Sequence, residues 1–193
     1  MRKPTNRDRL LTQGLRVVHR QGLAGASVRD IVQAAGVPQG SFSNHFASKQ
    51  AFGVEILDLY FGFTRKVLAA TLDNTDLSPL KRLEAYIDAN QAFLEQWGVE
   101  NGCLYGTYAA EITGHDEPIR GRLVEILNLL QDSLTACLRA AVKSGELPKG
   151  FKCNEVGEFI LSSLQGAILL SKGKRDTSPI TAFKRVLFAN ILR

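Results

Sequence analysis

The sequence predicts an all-α protein in which an N-terminal three-helix domain is bridged by a fourth helix to a larger helical domain. Apolar residues recur at spacings of three and four along nearly the whole chain, the period of a helix with one buried face. Cap signatures, most often Ser, Thr or Asp ahead of an apolar stripe, divide the chain into about nine such segments. Alternating apolar and polar runs bounded by hairpin turns, the mark of strands, do not occur. With 193 residues, 45% of them hydrophobic, the chain can bury a core without disulfides or metal.

Thr5 with Asp8 has the spacing of a capping box and opens the first helix. Leu10, Leu11, Leu15 and Val18 form its stripe, and Gly22 is expected to end it. Ser27 with Asp30 repeats the box and opens a short helix that turns Val28, Ile31, Val32 and Ala35 inward. Gly36 supplies a sharp backbone turn, and Pro38 suits the first position of a third helix running to about His45. Ser48 caps a long helix over about 49–71, with Phe52, Ile56, Leu59, Phe63 and Val67 on one stripe. The polar break 73–79 is where the domain-like boundary is expected, with the fourth helix bridging the two parts; the N-terminal domain itself is assigned to 1–50 and the larger helical domain to 51–193. Ser78-Pro79 opens a helix to about Trp97, a loop spans 98–102, and a helix runs from about Leu104 to Thr113. Asp116 caps a helix over 117–143, another covers about 154–171, and Ser178-Pro179 opens the last.

Charge is unevenly placed. The net charge is +5, yet residues 1–50 carry eight Lys and Arg (Arg2 and Lys3 among them) against Asp8 and Asp30, and the rest is close to neutral. A basic excess confined to one segment suits phosphate binding. No secretory leader pattern opens the chain, and the longest uncharged apolar stretch, 159–171, is too short for a membrane span of roughly 20 residues. Cys103, Cys137 and Cys153 are odd in number and widely spaced, which suggests reduced thiols in a cytoplasmic protein and no zinc site. No cofactor motif is present.

The two short helices joined through Gly36 fit a helix-turn-helix, in which the second helix enters the DNA major groove. Its expected exposed set is Gln39, Ser41, Ser43, Asn44 and His45, with Gly40 allowing close backbone approach. Gln and Asn pair with adenine, and Ser donates or accepts. Phe42 and Phe46 are expected to be core anchors.

The run Ser27 to Phe52 resembles the DNA-binding domain of the TetR family. The resemblance rests on the Ala35-Gly36-Val37 turn, Gly40 within the recognition helix, the His45-Phe46 pair and the Ser48-Lys49 cap. It implies an all-helical, homodimeric repressor that binds a palindromic operator and takes a small effector in its C-terminal domain. It also implies phosphate contacts from Lys49, at the start of the fourth helix, and from Ser27 and Arg29. Family members usually carry an aromatic residue, often Tyr, where this chain has Ser43.

Gly102-Cys103-Leu104 resembles a subgroup in which a Cys at this place senses electrophiles or oxidants. A thiolate is stabilised at a helix N-terminus, although a small buried residue is the other reading of Cys103. Trp97, Cys103, Tyr105, Tyr108, Leu127 and Phe159 are candidates to line the effector pocket, since such sites favour aromatics with a few polar groups. The helices over 117–143 and 154–171 are apolar on more than one face. They fit either a four-helix dimer interface or central burial within one monomer.

Two other classes remain open on sequence alone. An enzyme would need more than His19, His45 and His115 at scattered positions, without HExxH, GxSxG or a P-loop, although Glu111, His115 and Asp116 could form an acid-base cluster. A ligand-independent nucleic-acid binder would leave the near-neutral helical two-thirds unexplained.

Overall fold

The computed structural model describes residues 4–114 and 116–193, so Arg2, Lys3 and His115 lie outside the described residues. The expected all-α fold is observed. The helices are α1 (Asn6–Gly25), α2 (Val28–Ala35), α3 (Ser41–His45), α4 (Lys49–Ala70), α5 (Pro79–Trp97), α6 (Leu104–Glu111), α7 (Glu117–Ser144), α8 (Cys153–Lys174) and α9 (Ser178–Val186). A 3₁₀ turn, Val99–Asn101, separates α5 from α6, and α9 runs on into a π turn, Leu187–Ile191. No strand occurs among the described residues. None of their helices is long and apolar enough to cross a membrane.

Two compact units emerge, and neither is a single stretch of sequence. One comprises the described residues of Met1–Phe63 with those of Leu104–Glu125, the other Thr64–Cys103 with Ile126–Arg193. Both α4 and α7 are therefore shared between units.

In the first unit, both expected capping boxes form. The Thr5 hydroxyl accepts from the Asp8 N–H at 3.1 Å while the Asp8 carboxylate accepts from the Thr5 N–H at 2.9 Å. Ser27 and Asp30 exchange the same pair of bonds. Leu10, Leu15, Val18, Ile31, Val32 and Ala35 meet in the core. Phe42, Phe46 and Phe52 form a mutual cluster with centroids 4.9–5.2 Å apart. Gly14 makes room for it, because a Cβ there would stand 2.4 Å from the Phe52 ring. The Ser48 hydroxyl caps α4 by accepting from the Ala51 N–H at 3.0 Å.

Several expected boundaries move. Gly22 does not end α1. It kinks the helix at φ 77°, and one more turn follows to Gly25. Nor does Pro38 begin α3: its carbonyl accepts the Ser41 N–H at 2.9 Å, closing a separate turn before the helix starts at Ser41. Along α4 the neighbours Ile56 and Leu57, and again Tyr60 and Phe61, are all buried, while Leu59, Phe63 and Val67 are half-exposed. The helix is thus covered over a wider arc than one stripe. Thr177, not Ser178, precedes the first residue of α9.

The second unit holds Leu83, Ile87 and Leu94 of α5, Leu130, Leu134 and Leu138 of α7, and Ile160, Leu164 and Ile168 of α8 in its interior. Two contacts set its helix spacing. Gly157 lets α8 cross α7 closely, since a Cβ would lie 2.6 Å from the Thr135 hydroxyl. Glu146 caps α5 from outside, accepting from the Ser78 hydroxyl and the Leu80 N–H at 3.0 and 3.1 Å.

Candidate nucleic-acid interface and effector region

The interface begins with backbone geometry. Gly36 adopts φ 60°, a left-handed conformation that suits glycine, and its N–H bonds back to the carbonyls of Val32 and Gln33. That turn redirects the chain from α2 toward α3. The Arg9 guanidinium steadies it by donating to the Gly36 carbonyl at 3.0 Å. From below, Phe42 and Phe46 anchor α3, and the Arg7 guanidinium lies 5.6 Å above the Phe46 ring while pairing with Glu55. A five-residue helix has little stability of its own, so these contacts hold it.

What remains exposed is a short edge comprising Gln39, Gly40, Ser43, Asn44 and His45. Ser41 does not belong to it. At 7% exposure it is turned inward beside Phe42, because the buried face of so short a helix includes its first two residues. Gly40 has αR backbone angles, and a Cβ there would meet nothing within 4 Å. The Ser43 hydroxyl donates to the Gly40 carbonyl at 3.1 Å, folding back onto its own helix.

The flanking candidates differ in their freedom. Arg29 is exposed at the start of α2, together with Ser27. The Ser27 hydroxyl is 2.6 Å from the Asp30 carboxylate. That bond and the Ser27 backbone N–H hold the Asp30 carboxyl below the ordinary range for an aspartate. Lys49 is half-exposed at the start of α4, and its ammonium donates to the Ala24 carbonyl at 3.1 Å. The opposite end of the same residue is held too, since the Ala24 N–H donates to Glu111 at 3.0 Å. Gly22 leaves room for this contact, as a Cβ there would fall 1.6 Å from a Glu111 oxygen. Arg9 was not among the sequence candidates, and Glu111 was one only for an acid-base cluster, not as a partner of Ala24. Their partners lie 27 and 87 positions away, beyond any local pattern.

The residues expected to line an effector pocket do not share one environment. Tyr105 and Tyr108 belong to the core of the first unit. Tyr105 packs edge-on against Tyr60 at 5.0 Å, and the Tyr108 hydroxyl donates to the Gly53 carbonyl at 3.2 Å. Burial raises the Tyr108 phenol well above its ordinary value. In the second unit, Trp97 stacks on Phe93 at 5.4 Å, and Cys103 and Leu127 are half-buried. Phe159 departs from expectation: it is 42% exposed on the outer face of α8. An aromatic on a helix that is apolar all round can point either way, and the interior face of α8 is already filled by Ile160, Leu164 and Ile168.

The interior of the second unit nevertheless carries polar groups. Burial pushes the Tyr86 phenol up to about 12, with Cys103 as a further neighbour that raises it. The Ser171 hydroxyl is fully buried and has no hydrogen-bond partner among the described residues. Lys172 passes beside Gly102, its side chain 3.1 Å from where a Cβ would stand. Cys137, by contrast, is buried, donates to the Pro79 carbonyl at 3.1 Å, and has its thiol pushed up to about 11, chiefly by burial. All three cysteines are free thiols.

Of the acid-base cluster considered for an enzyme, His115 lies outside the described residues. Glu111 accepts from Ala24, and Asp116 accepts from the N–H and hydroxyl of Thr113 at 3.1 and 2.7 Å. Among the described residues no group of three His, Cys, Asp or Glu could hold a metal.

Known proteins are similar to this chain in sequence and fold. A family model described as bacterial regulatory proteins, tetR family, matches residues 10–56, and one described as tetracyclin repressor-like, C-terminal domain, matches residues 79–187. The HTH-type transcriptional repressor DhaR of Mycobacterium sp. (strain GP1) is 31% identical over 186 residues, covering 96% of this chain and 92% of that one. The HTH-type transcriptional repressor NemR of Escherichia coli (strain K12) is 29% identical over 117 residues, covering 61% of this chain and 59% of that one. A crystal structure of regulatory protein TetR from Rhodobacter sphaeroides superposes with a TM-score of 0.89 at 26% identity, covering 94% and 96% of the two chains.

Proposed function

We propose that this chain, a DNA-binding transcriptional regulator belonging to the tetR family of bacterial regulatory proteins, is a repressor that works as a homodimer on a palindromic operator and is released by a small electrophilic or oxidising effector. The exposed edge of α3 carries the DNA-reading part of this proposal. Asn44 and His45 face outward from a helix that Phe42 and Phe46 anchor, Gln39 is exposed in the turn before it, and Gly40 leaves the backbone open to close approach. Ser43 lies on the edge itself, and Ser27, Arg29 and Lys49 flank it as phosphate contacts. Lys49 would exchange its Ala24 carbonyl for a phosphate oxygen. Ser41 acts indirectly, seating α3. In functional terms we assign DNA reading to residues 1–50, and effector binding and dimerisation to 51–193.

Dimerisation is assigned to the outward apolar side of α7 and α8. Leu129, Phe159, Leu169 and Leu170 are exposed there, the last two at 69% and 59%, with Ser162 and Gly166 small enough for close helix approach. A four-helix contact between two copies covers them, and a two-fold dimer matches a palindromic site. Phe159 becomes an interface residue in this reading.

Effector sensing is assigned to the second unit around Cys103. A half-buried thiol one residue from the glycine that Lys172 packs against, with the unpartnered Ser171 hydroxyl in the same unit, suits a small reactive molecule.

Footprinting on DNA flanking the gene for this chain tests the first part. Protection of two half-sites about one helical turn apart is expected, and absence of any protected site would count against it. For the effector, an α,β-unsaturated carbonyl compound should weaken operator binding by the wild type and not by Cys103→Ser. Equal responses would remove Cys103 from the account.

A further inference from the structure

We propose that Glu111 is a positioning residue for DNA binding: from α6, outside the helix-turn-helix, it fixes the corner between α1 and α2, a role that rests on the assignment of Ser27, Arg29 and Lys49 as phosphate contacts. Glu111, the corner and those contacts all lie within the first unit. The corner has few side chains to hold it. Ala24 and Gly25 are small and exposed, and only Ala26 is buried. Backbone bonds therefore carry the turn. The Ala26 N–H donates to the Gly22 carbonyl at 3.1 Å, and the Ala24 N–H donates to the half-buried Glu111 carboxylate at 3.0 Å. The carboxylate also rests against Gly22, where a Cβ would stand 1.6 Å from its oxygen. One side chain thus grips α1 on both sides of Leu23.

The phosphate contacts hang on the gripped residue. The Lys49 ammonium donates to the Ala24 carbonyl at 3.1 Å. Ser27 and Arg29, both exposed, follow Ala24 directly as the start of α2. Glu111 brings no advantage to its own helix, because it is the last residue of α6, where a carboxylate opposes the helix dipole. Nor does its charge favour DNA, since a carboxylate near a phosphate-binding lysine repels the duplex. What it supplies is geometry. Long basic side chains lose rotamer freedom when they settle on phosphate, and a corner held in advance leaves less freedom to lose.

Two substitutions separate geometry from charge. Glu111→Asp keeps the charge and draws the acceptor back by one methylene group. Glu111→Gln removes the charge and keeps an acceptor for the Ala24 N–H. Binding of the full chain to the footprinted operator and to a scrambled duplex is measured by fluorescence anisotropy over a salt series, well below each variant's Tm, with Lys49→Gln alongside. Glu111→Asp should weaken both duplexes alike, by about 3- to 10-fold. It should also flatten the slope of log Kd against log salt by about 0.9, the worth of one phosphate. Glu111→Gln should bind at least as tightly as the wild type. A purely structural role would lower the Tm of Glu111→Asp and leave its slope unchanged, which would overturn the proposal. A weakened Glu111→Gln beside an unchanged Glu111→Asp would assign the effect to charge and overturn it too. Should Glu111→Asp not fold, Glu111→Gln decides, and any loss of affinity there refutes the role. Lys49→Gln should flatten the slope as well. If it does not, the phosphate assignment of Lys49 fails and the role of Glu111 with it; if it does while Glu111→Asp binds like the wild type, Glu111 alone is removed.

Discussion

Gly40→Ala should separate what the fold needs at the head of α3 from what DNA needs. Gly40 has φ −65° and ψ −12°, angles any residue accepts, and an added Cβ would meet nothing within 4 Å. Folding therefore gives no reason for a glycine. Replacing glycine by alanine at a compatible position stabilises by about 0.4–1 kcal/mol, through the lower entropy of the unfolded chain. In a chain of this length that is a rise in Tm of roughly 1–4 °C. Operator binding should move the other way. The methyl group would stand on the exposed edge between Gln39 and Ser43, where the backbone is to approach the duplex. Loss of one base or backbone contact there costs about 1–3 kcal/mol, or roughly 5- to 150-fold in Kd. Thermal denaturation and fluorescence anisotropy on one preparation give both numbers. A stable variant with unchanged affinity would show that α3 does not approach DNA along this edge. A destabilised variant would refute the packing argument itself.

Three other outcomes follow from the same geometry. Gly14→Ala should destabilise, because the new methyl would press on the rigid, fully buried Phe52 ring. Overpacking of about 1–3 kcal/mol, offset by about 0.5–1 kcal/mol of helix preference, should appear as a lower urea midpoint; an unchanged midpoint would contradict it. Leu169→Glu should shift dimer to monomer by more than about a hundredfold in sedimentation, since a symmetric interface loses two buried leucines at about 1.5–3 kcal/mol each. Undiminished dimer would place the interface elsewhere. Asp30→Asn should lower Tm at neutral pH but not in acid. The folded carboxyl titrates below its ordinary value, so its contribution is present above that value, 3.8, and is lost as pH falls through the lower folded one. The Tm difference should close below pH 3.8; a constant difference across pH would mean that ionisation of Asp30 plays no part.

What was legible in the sequence was local. The Thr5-Asp8 and Ser27-Asp30 boxes close within one helical turn, and the Gly36 turn announces its own backbone geometry. Phe42 and Phe46 were readable as anchors because a polar helix with two aromatics has few ways to attach itself. The start of α3 was misread for want of one piece of information. Pro38 suits a helix N-terminus in general, but here its carbonyl closes a turn before Ser41, and that shift is what buries Ser41. Contacts between distant elements left no trace in the sequence. Nothing near Gly22 points to Glu111, and nothing near Lys49 points to Ala24. Phe159 shows a different limit: a helix apolar on all sides does not reveal which side faces its own core and which faces a second copy.

Asn44→Ala tests the central claim that the exposed edge of α3 reads base sequence. Asn44 is exposed, anchors nothing in the core and has the side chain suited to adenine. Affinity should be measured for the operator and for a scrambled duplex across a range of salt concentrations. Operator affinity should fall roughly 5- to 150-fold while scrambled-duplex affinity and the slope against salt stay unchanged. Equal losses on both duplexes, or no loss on either, would contradict the account.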